Sequence, residues 1–149
     1  MPANNVLETG LAQLIYQNTA FANIGNTAGL QPSSVPGSFY ISLHTADPTA
    51  TGLQNANEAT YTGYARVAVV RSSAGWTIAG NQPTTISNAA AVTFPAGTAG
   101  SGTATFFGIG VAASGATQLT GSGALTSSLV TGSGVTPSFA IGALTATIT

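Results

Sequence analysis

Only five side chains in this 149-residue chain carry a full charge at neutral pH: Glu8, Asp47, Glu58, Arg66 and Arg71. An ordinary soluble domain draws about a quarter of its residues from Asp, Glu, Lys and Arg, whereas here the share is 3% and lysine is absent. That scarcity constrains both fold and partners. Nucleic-acid binding needs several Lys or Arg to displace counterions from phosphates, and a membrane-surface helix needs a basic polar face. Two arginines supply neither. A formal net charge of -1 also removes the self-repulsion that keeps free monomers apart. Protein interfaces are themselves poor in Lys, Glu and Asp, so neighbours can cover such a surface without stranding charge. Composition leaves two classes open: an assembly subunit, or an extracellular β-domain with a hydroxyl-rich surface.

The length suits one domain, able to bury roughly 68–70% of its unfolded surface in a single core. With no cysteine, a disulfide framework and a thiolate metal site are excluded. The first ten residues hold no Lys or Arg ahead of an apolar run, so an ordinary secretory signal is not expected. No apolar run approaches the ~18 residues of a membrane span. The expectation is synthesis in the cytoplasm of the producing cell.

Along the chain, Asn5 followed by Glu8 has the spacing of a capping box. Leu7, Leu11, Leu14 and Ile15 then form one apolar stripe at the helical period, which predicts a short helix ending near Asn18. Such a helix is marginal alone, so its stripe is expected to be buried, on its own domain or on a neighbouring subunit. Residues 23–38 are rich in Gly, Asn, Pro and Ser and read as a connecting arm. Strand character follows at 39–44, 64–71, 76–78, 90–94, 105–112, 118–125 and 143–148. The last is the clearest, with Leu144, Ala146 and Ile148 alternating against Thr145, Thr147 and Thr149. The expectation is an all-β fold, a β-sandwich or jelly roll of about eight strands, with a short N-terminal helix and arm. Residues 1–38 are the helix and arm, 39–149 the β-domain, and the whole is one compact domain.

Candidate chemistry is thin. His44 is the only histidine, so a zinc site would need carboxylates from a set of three, and no metal or other cofactor is expected. His44, Asp47 and any serine formally satisfy a nucleophilic triad. No Gly-x-Ser-x-Gly elbow occurs, and Asp47 before Pro48 is explained by turn chemistry. Asp47 and Glu58 are the carboxylates left for glycoside hydrolysis, since Glu8 is used at the helix start. One arginine is expected to pair with Asp47 or Glu58. Arg66 and Arg71, five apart in a predicted strand, are expected on opposite faces. The Gly-rich stretches lack a phosphate loop's Gly-Lys ending. Aromatic residues such as Tyr61, Trp76 and Phe94 read as core, with a sugar platform on Trp76 or Tyr61 as the alternative. No catalysis and no small-molecule substrate are expected.

Several short segments in order carry a family resemblance: Tyr40-Ile41-Ser42-Leu43-His44-Thr45-Ala46-Asp47-Pro48, then Gly63-Tyr64-Ala65-Arg66, then the run from Ile86 to Pro95, then Phe107-Gly108-Ile109-Gly110 and Gly123-Ala124-Leu125-Thr126. This series resembles small virion structural proteins of tailed bacteriophages, both the tail-fibre-like kind and the jelly-roll cement proteins of capsid shells. The chain departs from that pattern in a less acidic stretch between Asp47 and Glu58, and in Thr105-Phe106 where the family has Thr-His.

The resemblance implies a virion protein that works by binding alone. The leading expectation is a capsid decoration or cement subunit on the phage head, bridging capsomers, with the major capsid protein and further copies of itself as partners. A cement that binds only the assembled shell stabilises it by mass action. The alternative is a tail-fibre or tail-tip component engaged in host receptor attachment, although no long repeat of the kind fibres carry is present. Candidate interface residues are Leu7, Leu11, Leu14 and Ile15 on the helix, with Leu30 and Val35 on the arm.

Overall fold

A computed structural model describes residues 3–80 and 82–148. Among them one helix, α1 (Asn5–Gln17), precedes nine strands: β1 (Ser38–His44), β2 (Val67–Val70), β3 (Trp76–Ala79), β4 (Thr84–Asn88), β5 (Val92–Thr93), β6 (Ser101–Gly110), β7 (Leu119–Gly132), β8 (Ser138–Phe139) and β9 (Thr145–Ile148). The all-β class with a single short N-terminal helix is the one read from the sequence. β4 and β8 are additions. β4 follows Pro83 and puts polar Thr84 and Asn88 inward beside Ile86, so it lacks the apolar alternation that marks a strand. β8 has only two residues.

The chain folds as two compact units, each discontinuous in sequence. One holds the described residues of 1–38, 70–91 and 140–149; the other holds 39–69 and 92–139. Sequence composition alone suggests a boundary at 38/39, with 39–149 together. Residues 70–91 and 140–149 instead group with the N-terminal segment because they supply the sheet on which α1 lies.

In the first unit that sheet runs β3-β4-β9, antiparallel throughout, with Ile78 opposite Ile86 and Ile86 opposite Ala146. β9 keeps its alternation: Thr145 and Thr147 are exposed while Ala146 and Ile148 are half-buried. The start of α1 corrects the predicted capping box. Asn4 is the N-cap, its side chain accepting the Leu7 N–H at 2.9 Å, and Asn5 is the first helical residue. Glu8 does not reach back. It is buried and its Oε2 accepts the backbone N–H of Thr84 at 3.1 Å, because a donor emerging from Pro83 at the start of β4 needs a partner once covered. The helix ends where expected, with Asn18 in the left-handed conformation.

The second unit holds a four-stranded sheet, β2-β1-β6-β7, and a two-stranded one, β5-β8. β1 is buried on both faces. Phe39, Ile41 and Leu43 form its apolar side, and Ser42 and His44 its polar side. Phe94 stacks on Tyr64 with centroids 6.1 Å apart and meets Phe139 edge-on. Tyr64 in turn accepts the Leu43 N–H at 3.1 Å, which ties the small sheet to the apolar side of the large one. β2 is shorter than expected, so Arg66 and Arg71 flank it rather than sharing it. Arg66 turns toward Glu58, and Arg71 toward the end of α1.

Candidate functional site

The predicted interface residues all lie in the first unit, and α1 sorts its side chains in an unexpected way. Glu8, Ala12 and Tyr16, four apart, form the face buried on the sheet. Tyr16 packs edge-on against Trp76 at 5.1 Å between centroids, Gln17 donates to the Trp76 carbonyl at 2.8 Å, and Thr9 meets Thr84 at 3.3 Å. The apolar stripe therefore points elsewhere. Leu7 and Ile15 are exposed, Leu11 and Leu14 half-buried, and Val6 beside them is 67% exposed.

The arm is pinned to the C-terminal end of this helix. Arg71 donates to the carbonyls of Ile15 (2.6 Å), Leu14 (2.9 Å) and Pro36 (3.1 Å). A guanidinium is suited to the carbonyls a helix end leaves unpaired. Asn18 and Ser33 exchange two hydrogen bonds, each of 2.9 Å. Val35, at 74% exposure, is held near Leu14 and Ile15 by these contacts. Leu30 sits farther round, where its backbone pairs with Phe21. Gly10 lets that turn approach, since a Cβ there would lie 2.6 Å from the Phe21 ring. The apolar stripe and the helix end at Asn18 are legible in the sequence, whereas the pinning roles of Arg71 and Asn18 depend on partners distant in sequence.

Between α1, Phe21 and Gly80 lies an open groove of about 560 Å³ flanked by Asn5, Thr9 and Gln13. Among the described residues no titratable group lines it.

The residues weighed for catalysis fall in the second unit and are committed to structure. Arg66 binds Glu58 in parallel, Nε to Oε1 at 2.7 Å and Nη2 to Oε2 at 2.8 Å, and this pairing with Glu58 is one of the two that were expected. Tyr64 donates to the same Oε1 at 2.8 Å. Nη1 reaches Gln54 Oε1 (3.1 Å) and the Ala112 carbonyl (3.0 Å), and Nη2 the Gly115 carbonyl (2.8 Å). The hydrogen bonds to Glu58 raise the arginine pKa further, and burial pushes the Tyr64 phenol well above its usual range. A space of about 320 Å³ beside this cluster faces Glu58, Tyr64 and Arg66, whose side chains are already bonded to one another.

His44, fully buried, places Nδ1 2.7 Å from the Ala56 carbonyl and Nε2 2.9 Å from Ser42 Oγ. A carbonyl only accepts, so Nδ1 carries the proton and Nε2 accepts from Ser42. Burial lowers the His44 pKa, which keeps the ring neutral. Asp47 does not orient it. It is exposed and accepts from Thr49 Oγ1 (2.6 Å) and Thr49 N–H (2.9 Å), and these bonds lower its pKa. The formal triad is not assembled. The Tyr61 hydroxyl donates to the Pro95 carbonyl, and Trp76 is buried, so neither ring offers an open platform. Among the described residues no group of three or more His, Asp or Glu side chains is placed to hold a metal ion. No helix among them is long and apolar enough to cross a membrane.

A family model described as podophage GP4 fiber I protein gp80 matches residues 3–147. The chain belongs to that family. No curated protein matches it. Membership makes it a tailed-phage virion structural protein, in keeping with the ordered motifs between Tyr40 and Thr126. The outward stripe of α1 is the notable surface feature of the first unit. The fold covers the Glu8, Ala12 and Tyr16 face of α1 and leaves Leu7 and Ile15 exposed, with Leu11 and Leu14 half-covered.

Proposed function

We propose that this fiber I protein is a tail-fibre subunit that docks on a neighbouring virion protein through the outward face of α1 and the arm pinned beside it. The observation that carries the reading is the exposure of Leu7 and Ile15, with Leu11 and Leu14 only half-covered, on a helix whose other face is fully used. Burying a leucine or isoleucine side chain contributes about 1.5–3 kcal/mol. Several together can offset the rigid-body and ordering costs of docking. Arg71 and the Asn18–Ser33 pair hold Val35 in place beforehand, which lowers the ordering cost.

The family's description as fiber proteins supports a tail position, the alternative in the sequence reading, more than the capsid cement role expected first. Both use the same mechanism, association without chemistry, and host receptor attachment would then fall to the parts of the fibre that point outward. Partners are accordingly other virion proteins and copies of this chain.

Immunogold labelling of purified particles tests the location, with the copy number per virion measured against the major capsid protein. Label at the tail and few copies support the fibre reading. Label spread over the shell at copy numbers comparable with the capsid protein overturns it in favour of cement. Leu11→Asn with Ile15→Asn should leave the isolated chain folded and abolish its incorporation into particles.

A further inference from the structure

The second unit exposes a different kind of surface. Its four-stranded sheet has two edges, β2 and β7, and every sheet edge presents unpaired backbone N–H and C=O groups that can template another strand. β2 is protected by its shortness, with only four residues. β7 runs for fourteen residues, Leu119–Gly132, and contains neither proline nor charge. No charged residue follows Arg71 anywhere in the chain. Among the described residues, the backbone of residues 120–131 makes no hydrogen bond outside its own sheet.

Two irregularities shape this edge. The register with β6 slips at Thr120, and again between Ala124 and Leu129, where Leu125 to Ser128 oppose Thr105 alone. Bulges of this kind bend a strand and limit how far a ladder can extend. They leave two regular stretches, Gly121–Ala124 and Leu129–Gly132, flanking a projecting segment in which Thr126, Ser127 and Ser128 are exposed; the second is open only as far as Val130, since Thr131 and Gly132 are buried and the Gly132 carbonyl accepts the Val135 N–H. Val130 is 61% exposed.

We infer that the β7 edge pairs antiparallel with the β7 edge of a second copy of this chain, joining two four-stranded sheets across a two-fold axis. Backbone groups require that the occupant be a strand, and the side chains favour this one. Antiparallel pairing about a two-fold sets a strand against itself, so a charge near the axis would meet its own copy. β7 has none to repel. Its exposed Thr and Ser side chains can hydrogen-bond across the join, and Val130 gains apolar cover. An edge without charge has nothing to steer or select a charged foreign strand.

The test is light scattering on the full-length chain over a concentration series. The expected wild-type mass is twice the 14.6 kDa of the monomer. Ala124→Lys and Ser128→Lys, at positions exposed in the single chain, should keep the thermal midpoint and weaken association by about tenfold or more. Because the chain has no cysteine, single cysteines at Ala124, Ser127 and Ser128 report directly: at least one should form an intermolecular disulfide on mild oxidation, while Thr77→Cys on β3 should not. A wild-type monomer or trimer, or lysine variants that associate as before, would overturn the inference. So would loss of association in Leu11→Asn alone, which would assign self-contact to α1.

Discussion

Arg66 and Glu58 lie side by side, joined by hydrogen bonds of 2.7 and 2.8 Å, with the arginine side chain 2% exposed and the glutamate 15%. All five N–H donors of the guanidinium are engaged, since Nη1 also serves Gln54 and Ala112 and Nη2 also serves Gly115. One side chain thus fastens the connection between β6 and β7 to the segment that precedes β2. Arg66→Ala should cost about 3–5 kcal/mol, because it strands a buried carboxylate. Arg66→Lys should recover only part of this, lacking the planar fork. Replacing both partners, Arg66→Met with Glu58→Leu, should cost less than Arg66→Ala alone. Denaturant titration of the three variants measures the order.

Gly110 stands opposite Tyr40 in the sheet, and a Cβ on it would run into the side-chain amide of Gln54. That amide donates to the Tyr40 carbonyl at 2.7 Å and accepts from Arg66 at 3.1 Å. Gly110→Ala should therefore displace Gln54 and destabilise by about 1–3 kcal/mol, the usual cost of overpacking. Gly121→Ala, where nothing lies within 4 Å of the added carbon, is its control and should be near neutral by the same titration.

The neutral, buried His44 gives the fold an acid-sensitive point. Its native pKa lies below the ordinary 6.5 because burial penalises the charged ring. The unfolded chain therefore takes up the proton first as the pH drops, and stability rises with pH across the interval. It should be complete above about 6.5 and decline from there down to the lowered native value. His44→Gln should be less stable at pH 8 and should lose this part of the dependence. Melting temperatures of both proteins between pH 8 and pH 5 test it; a wild-type profile parallel to that of the variant would remove His44 as the cause.

Local pattern carried much of the fold into view. Leu144, Ala146 and Ile148 announce β9 by alternation, and Asn18 marks the helix end because its left-handed conformation is one that Asn tolerates. Residues whose roles depend on distant partners stayed hidden. Glu8 looks like a helix-start residue, but its partner is Thr84, 76 positions away. The helical stripe was legible as apolar, yet periodicity says nothing about which face a sheet will cover, and Trp76 recruits Tyr16 rather than the leucines. β6 and β7 extend into a Gly-, Ser- and Thr-rich stretch because neighbouring strands, not side-chain hydrophobicity, fix its register. Gly123 sits there over the Phe107 ring, where a Cβ would be 2.7 Å away.

The helix start supplies a prediction that separates the two accounts of it. If Asn5 and Glu8 formed a capping box, Asn5→Ala would weaken the helix and Glu8 would act only locally. In the structure the cap is Asn4, through its 2.9 Å bond to the Leu7 N–H, while the Asn5 side chain accepts from Thr9 Oγ1 at 3.1 Å. Asn4→Ala should cost about 1 kcal/mol and Asn5→Ala a few tenths. Glu8→Ala should exceed both, at about 1–3 kcal/mol, because it orphans the buried Thr84 N–H. Glu8→Gln, which keeps an acceptor oxygen, should recover most of that. Thermal unfolding of the four variants ranks them, and hydrogen exchange at the Thr84 amide adds a local reading: protection should vanish in Glu8→Ala and persist in Asn5→Ala.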